Sequence, residues 1–339
     1  MGAGSGTRVA VAALLFMGGA VAGCSSGSGG TPLVTHSIAR DPFQPSTSTG
    51  RLTLDPGHDY GDKYSNGLLP VGDGRYRTSG ARKGYVYVCS QYAQALAQGG
   101  GGASTRGPWF TDNNQKYDVK QKAHVRGSVS WHSVHSFEAS GSKRLVRTND
   151  LPSHTTGTYP IQSSDPAYRY DHNPNSISAQ SISLSLTLHP RYGAPQCVGG
   201  EVGVMTTGVM LFNAFDAGGR DAGAWEVQDH CDGHPEMDGV YHYHTLSSCI
   251  TNLSVHHVIG WAFDGFPITG PYVNGAKDQL TTSDLDACHG ITSTVRIDGK
   301  SVTTYHYVMT ADFPYSVSCF RATPVTTGPV PAPAGMSGM

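Results

Sequence analysis

Three histidines sit where they could share one ion. The segment from Cys231 to Cys249 contains His234, then Pro235, Glu236, Asp238 and Gly239, then Tyr241-His242-Tyr243-His244. On a β-strand, successive side chains alternate between faces. His242 and His244 therefore project from one face, about 7 Å apart along the strand, and Tyr241 and Tyr243 from the other. The Pro-Glu-Met-Asp-Gly turn is short enough to bring His234 back toward the histidine face. Neutral imidazole is the commonest protein ligand for zinc and copper, and a catalytic zinc takes three protein ligands plus water. A second use of the same residues is a polar core in which the histidines hydrogen-bond among themselves and the tyrosines pack outside.

Other residues extend this chemistry. Asp264 lies in the apolar run Phe263-Asp264-Gly265-Phe266-Pro267. Asp-Gly is a common turn pair, but a carboxylate there could also serve as a metal ligand, an imidazole orienter or a general base. His242 and Asp264 are thus the acid–base candidates. The metal candidates are His234, His242, His244 and His257. Of the adjacent pair His256 and His257, which must face opposite ways on a strand, His257 leads directly into Val258-Ile259. Glu226 and His230 are further candidates. Gly-x-Ser-x-Gly, His-Glu-x-x-His and a phosphate-binding loop are all missing. The loop Asp216 to Asp221 lacks the spaced oxygens of an EF-hand and reads as a turn.

The elements that must position these residues read as strands. Ser181 to His189 alternates Ser or Thr with Ile182, Leu184, Leu186 and Leu188, the clearest half-buried strand pattern in the chain. Gly84 to Cys89, Ile259 to Phe263 and Val302 to Thr310 are further strand candidates, His124 to Phe137 reads as a strand or hairpin, and Val202 to Phe212 reads as a hairpin through Gly208. One helix is expected from Asp216 through Ala222, Ala224 and Val227 toward Asp229, shortened by its glycines. Frequent turn signals predict a mainly β fold: a sandwich or barrel-like domain of short antiparallel strands with long loops and disulfide-closed hairpins. The chain also echoes itself. Cys231-Asp232-Gly233-His234, Tyr241-His242-Tyr243-His244 and Cys249 are followed by Cys288-His289-Gly290-Ile291, Tyr305-His306-Tyr307-Val308 and Cys319. Ile291 and Val308 stand where the first unit has His234 and His244, so the polar chemistry is expected in the first.

The beginning of the chain points to export. Arg8, an apolar run from Val9 to Val21 and then Val21-Ala22-Gly23-Cys24 form a lipoprotein-type signal over 1–23, too short for a membrane span. Cleavage would leave Cys24 as a lipid-bearing residue, and 24–50, rich in Ser, Gly and Pro, would be a flexible tether. Two regions follow, a β-rich one over 51–180 and a core over 181–325, with a disordered tail over 326–339. Of the seven cysteines, six remain after Cys24. An even number in an exported chain argues for disulfides. Six cysteines allow 15 connectivities; the expected one is Cys231–Cys249 and Cys288–Cys319, with Cys89–Cys197 by elimination. The formal charge is −2, and lysine and arginine are scattered, so no basic stripe for nucleic acid is present. The membrane, through the lipid, is the expected partner, at an extracytoplasmic place in the cell envelope.

These residues resemble the YHYH protein family. The tetrapeptide itself is joined by Tyr85-Val86-Tyr87-Val88-Cys89, the glycine run at 99–102, the stretch from Leu151 to Ile161 and Asp165-Pro166-Ala167-Tyr168. Leu211 to Ala222, Gly260 to Ile268, Phe313-Pro314-Tyr315 and Cys319-Phe320-Arg321 add to it. The resemblance implies an exported bacterial protein and names no activity. Three functions remain open from the residues: a histidine-rich site for zinc, copper or another ligand; a metal-dependent or His/Asp acid–base hydrolase of the envelope; and a surface binding module with purely structural histidines.

Overall fold

In chain order the strands are β1 (Leu68–Pro70), β2 (Tyr76–Arg77), β3 (Val86–Tyr87), β4 (Phe110–Thr111), β5 (Lys116–Asp118), β6 (His135–Ser140), β7 (Lys143–Thr148) and β8 (Ile182–Thr187). They continue with β9 (Glu201–Met205), β10 (Met210–Phe212), β11 (Gly233–Pro235), β12 (Tyr241–Tyr243), β13 (Val258–Ala262), β14 (Pro267–Thr269), β15 (Gly290–Ile297) and β16 (Lys300–Val308). Among the described residues two α-helices, α1 (Ser90–Gln98) and α2 (Ala222–Trp225), interrupt them. The structure is a computed structural model that describes residues 51–99, 104–275 and 278–325. The signal expected over 1–23, Cys24, the tether expected to residue 50 and the tail expected over 326–339 lie outside the described residues.

The main sheet has eight strands in the order β11-β12-β10-β9-β13-β14-β16-β15. The fold is mainly β, as expected, but the sheet is mixed: β10 pairs parallel with β12, and β14 with β16. Parallel neighbours need a long crossover rather than a tight turn. Here the crossovers are the segments 213–240 and 270–299, each of which also contains the first strand of the hairpin it leads into. The sheet does not close into a barrel, because β11 and β15 each have one neighbour. Val202, Val204, Met205, Met210 and Leu211 are all buried, which suits central strands covered on both faces. The sheet β6-β7-β8 adds Val146, Leu184 and Leu186 to the same apolar core, and the Arg144 guanidinium lies 3.8 Å over the Trp261 ring.

The sequence echo is a structural repeat. From the centre outward, β9-β10-β12-β11 and β13-β14-β16-β15 have the same pairing: antiparallel, parallel, antiparallel. Registers also agree. Gly233 faces Tyr243 and His234 faces His242; Gly290 faces Tyr307 and Ile291 faces His306. In each half an aspartate two residues before the cysteine accepts hydrogen bonds from the cysteine and glycine amides and from the first tyrosine. Asp229 does this for Cys231, Gly233 and Tyr241, and Asp286 for Cys288, Gly290 and Tyr305. The disulfides Cys231–Cys249 and Cys288–Cys319 close the two halves, and Cys89–Cys197 ties the end of β3 to the approach of β9. Three disulfides fit an oxidising compartment, and no helix among the described residues is long and apolar enough to cross a membrane.

Several local expectations are corrected. Only β6 forms within His124 to Phe137; Val125 and Val129 make single bridges to Asp229 and Thr156. The helix expected over 216–229 shrinks to α2. Asp216 accepts from the Gly218 and Arg220 amides and so holds a turn, and the Asp221 carboxylate caps α2 through the Ala224 amide. The chain then leaves helical geometry at Glu226, with φ −79° and ψ 138°. Conversely, α1 forms directly after Cys89, burying Tyr92 and Leu96 one turn apart.

Candidate metal centre

The β11–β12 hairpin sets His234 directly opposite His242, and His244 follows two residues on, just past β12. All three are buried, at 2–4% exposure. Their ligand-type nitrogens lie within 4.8 Å of one another. Ring centroids are 4.5 Å apart for His234 and His242, 4.8 Å for His242 and His244, and 5.5 Å for His234 and His244. Phe212 of β10 stacks on His242, with centroids 4.0 Å apart and planes at 22°. On the opposite face the Tyr241 hydroxyl donates to Asp229, and the Tyr243 hydroxyl meets Thr207 and His154. The alternation read from the sequence is therefore the alternation of the strand.

What the ring nitrogens face decides their chemistry. His242 Nδ1 lies 3.1 Å from the Val240 carbonyl, and His244 Nδ1 lies on the Asn213 carbonyl. A carbonyl only accepts, so each Nδ1 carries the hydrogen and each Nε2 of the neutral ring presents a lone pair. Those two Nε2 atoms face each other at 3.0 Å. A third hydrogen-bonding proton is disfavoured there: burial, then the neighbouring histidines, push the His242 pKa well below its ordinary value. Burial likewise takes His244 down to about 4, against the attraction of Glu226. Two lone pairs at this distance suit a shared cation. Carbonyl-anchored Nδ1–H groups are also the usual way a protein orients metal-ligating imidazoles.

Glu226 arrives from the chain after α2. Its Oε2 is 3.2 Å from His234 Nε2 and 3.4 Å from His244 Nε2. Burial opposes its charge, but His234, His244 and Lys122 outweigh burial and hold its pKa down at about 2. For His234, burial is the largest single influence and works against the protonated form, but the Glu226 carboxylate and the Asp171 charge together outweigh it, so its pKa is raised. At 3.2 Å Nε2 and Oε2 attract as charges, yet they are not aligned for a hydrogen bond, and both atoms are buried without one. His234 Nδ1 is 3.5 Å from the Asn173 amide nitrogen, which donates to the Pro235 carbonyl.

The remaining candidates fall elsewhere. His257 is not brought to the cluster; it sits at the start of β13 and bridges to Arg296 through its backbone. His256 places Nδ1 on the Thr294 carbonyl, and His230 is exposed, with Nε2 3.3 Å from the Thr155 hydroxyl. Asp264 belongs to the second half. Its carboxylate takes the Tyr307 hydroxyl at 2.6 Å and the Phe266, Arg321 and Ala322 amides, and so anchors the turn before β14 to β16 and the segment beyond it. His306, in the register position of His242, has Nδ1 on the Thr269 hydroxyl at 2.9 Å and Nε2 on the Ser293 hydroxyl at 2.8 Å. Sequence reasoning missed Asn213, whose carbonyl orients His244, and Phe212, which walls His242. Neither backbone carbonyls nor a ring on a neighbouring strand leaves a motif.

No curated protein and no solved structure matches the chain. Residues 183–283 match the family described as YHYH protein, a span that runs from the second residue of β8 through β14 and holds Glu226 and all three clustered histidines, while β15 and β16 of the second half lie beyond it. The chain thus carries a YHYH domain, and the candidate centre lies within it.

Proposed function

We propose that the protein is a lipid-anchored component of the cell envelope whose YHYH hairpin binds one zinc or copper ion through His234, His242 and His244. The observation that carries this reading is the facing pair of Nε2 atoms of His242 and His244, 3.0 Å apart, on rings whose Nδ1 atoms both rest on backbone carbonyls. The second half supplies an internal contrast. His306 has both ring nitrogens met by hydroxyls, and Ile291 and Val308 stand where the first half has His234 and His244. His242 has no such hydroxyl partner. Imidazole donors favour zinc or copper over calcium or magnesium. The low exposure of the three histidines favours a closed centre that holds structure over one open to substrate, since catalytic zinc keeps a free position.

Metal analysis of protein purified from the envelope fraction tests the reading. About one zinc or copper per chain is expected, and none in the His242→Ala/His244→Ala double variant. Protein that emerges metal-free and takes up neither ion on titration overturns it. The anchor is tested separately: Cys24→Ser protein should lose its lipid by mass spectrometry and leave the membrane fraction.

A further inference from the structure

We infer that Glu226 is the fourth ligand of this centre, closing it into a four-coordinate site that pins the segment after α2 to the YHYH hairpin. The inference rests on the metal reading above. A zinc ion bound at 2.0–2.1 Å sets tetrahedral donors roughly 3.3 Å apart. Three donor–donor edges are close to that length: 3.0 Å for His242 and His244, 3.2 Å for Glu226 and His234, and 3.4 Å for Glu226 and His244. Glu226 Oε2 and His234 Nε2 are buried and lack a hydrogen bond although they are near each other. Two buried polar atoms 3.2 Å apart with no hydrogen bond between them are a pair that one bound ion would satisfy together. Leaving a buried charged oxygen without a hydrogen bond is costly, and an ion at that point removes the cost.

The backbone around Glu226 is built to hold it there. The buried Lys122 ammonium donates to the Gly223 carbonyl and to the Gln228 side chain, on either side of Glu226. Asp171 accepts from the Val227 amide at 2.9 Å, and the Gln228 amide side chain reaches back to the Ala222 carbonyl at 3.1 Å. These contacts fix the backbone on both sides of Glu226. With Glu226 bound, all four positions of a tetrahedral ion belong to the protein, which is the pattern of a structural site. The same carboxylate is the donor side chain most open to solvent, at 17% against 5% and 3% for His234 and His244.

Cobalt(II) titration of the full chain separates the two claims, because tetrahedral cobalt has intense visible bands. Wild type is expected to show them at one equivalent, with Glu226→Gln binding roughly 10- to 100-fold more weakly or worse, as loss of even an outer-shell partner has that effect. The Gln variant should also show shifted, weaker bands, and Glu226→Asp should recover part of both. Wild type without cobalt, zinc or copper binding removes the metal reading itself. Wild type that binds, with a Gln variant equal in affinity and spectrum, leaves the three-histidine centre and removes Glu226. Should the Gln variant fail to fold, the zinc-minus-apo infrared difference spectrum of wild type with 13C-labelled glutamate decides. A shifted carboxylate stretch is expected, and an unshifted one overturns the assignment.

Discussion

At the scale of single residues, two histidines in equivalent registers have opposite surroundings. His242 meets a carbonyl, a phenyl ring and two imidazoles; His306 meets two hydroxyls. His306→Ala is therefore expected to leave metal content unchanged while costing about 1–3 kcal/mol, because Thr269 and Ser293 lose a buried partner. Thermal melting of the chelated protein against wild type reads the cost; a fall in metal content would show that the halves share a site. The Tyr-His alternation was legible because strand geometry has a strict period of two. Glu226 was visible only as a nearby carboxylate. Its role depends on α2 stopping at Trp225, and short-range sequence does not specify that stop closely. His257 shows the reverse failure: a histidine beside a strand is common, and nothing in its neighbours says which way the sheet turns it.

At the scale of elements, the hairpins depend on glycines under tyrosine rings. A Cβ at Gly233 would lie 2.3 Å from Tyr241 and one at Gly290 would lie 2.2 Å from Tyr305, each at the hydroxyl end of the ring. Those tyrosines cannot give way without breaking their bonds to Asp229 and Asp286. Gly233→Ala and Gly290→Ala should each destabilise by about 1–3 kcal/mol or more, and only the first should also weaken metal binding. Denaturant midpoints and zinc titration together check this; a Gly290→Ala protein with reduced zinc affinity would contradict the separation of the two halves. The alternating strand β8 and the hairpin β9–β10 were readable from periodicity and Gly208. The parallel partners of β10 and β14 were not. Strand pattern reports which face is buried, and partner choice is set by crossovers whose paths carry no periodic signal.

Across the whole molecule, buried carboxylates give the fold an unusual response to pH. Burial raises the Asp221 pKa to about 7, although the Tyr315 hydroxyl and the Gly72 and Ala224 amides favour its charge. The unfolded value is about 3.9. Between those two limits the folded chain holds a proton that the unfolded chain has lost, so this group's contribution to stability falls as pH rises from about 4 to about 7. Asp221→Asn should flatten that slope in chelated protein, measured by urea unfolding at several pH values; parallel slopes for variant and wild type would contradict it. The same scale holds the strongest sequence–structure agreement. The two Cys-x-Gly…Tyr-His-Tyr units became two halves of one sheet, because the repeated glycine, tyrosine and aspartate positions rebuild the same hydrogen bonds. What the echo could not foretell was that β9 and β13 would join them edge to edge into eight strands.

The central claim is that three imidazoles of the first hairpin converge on one ion. A crystal structure of the protein with zinc, read by anomalous scattering at the zinc edge, tests it most directly. The account predicts a single peak, about 2.0–2.1 Å from Nε2 of His234, His242 and His244, and none beside His306. A map with excess zinc present but no peak among those rings, and with His242 and His244 still in direct contact, would contradict it.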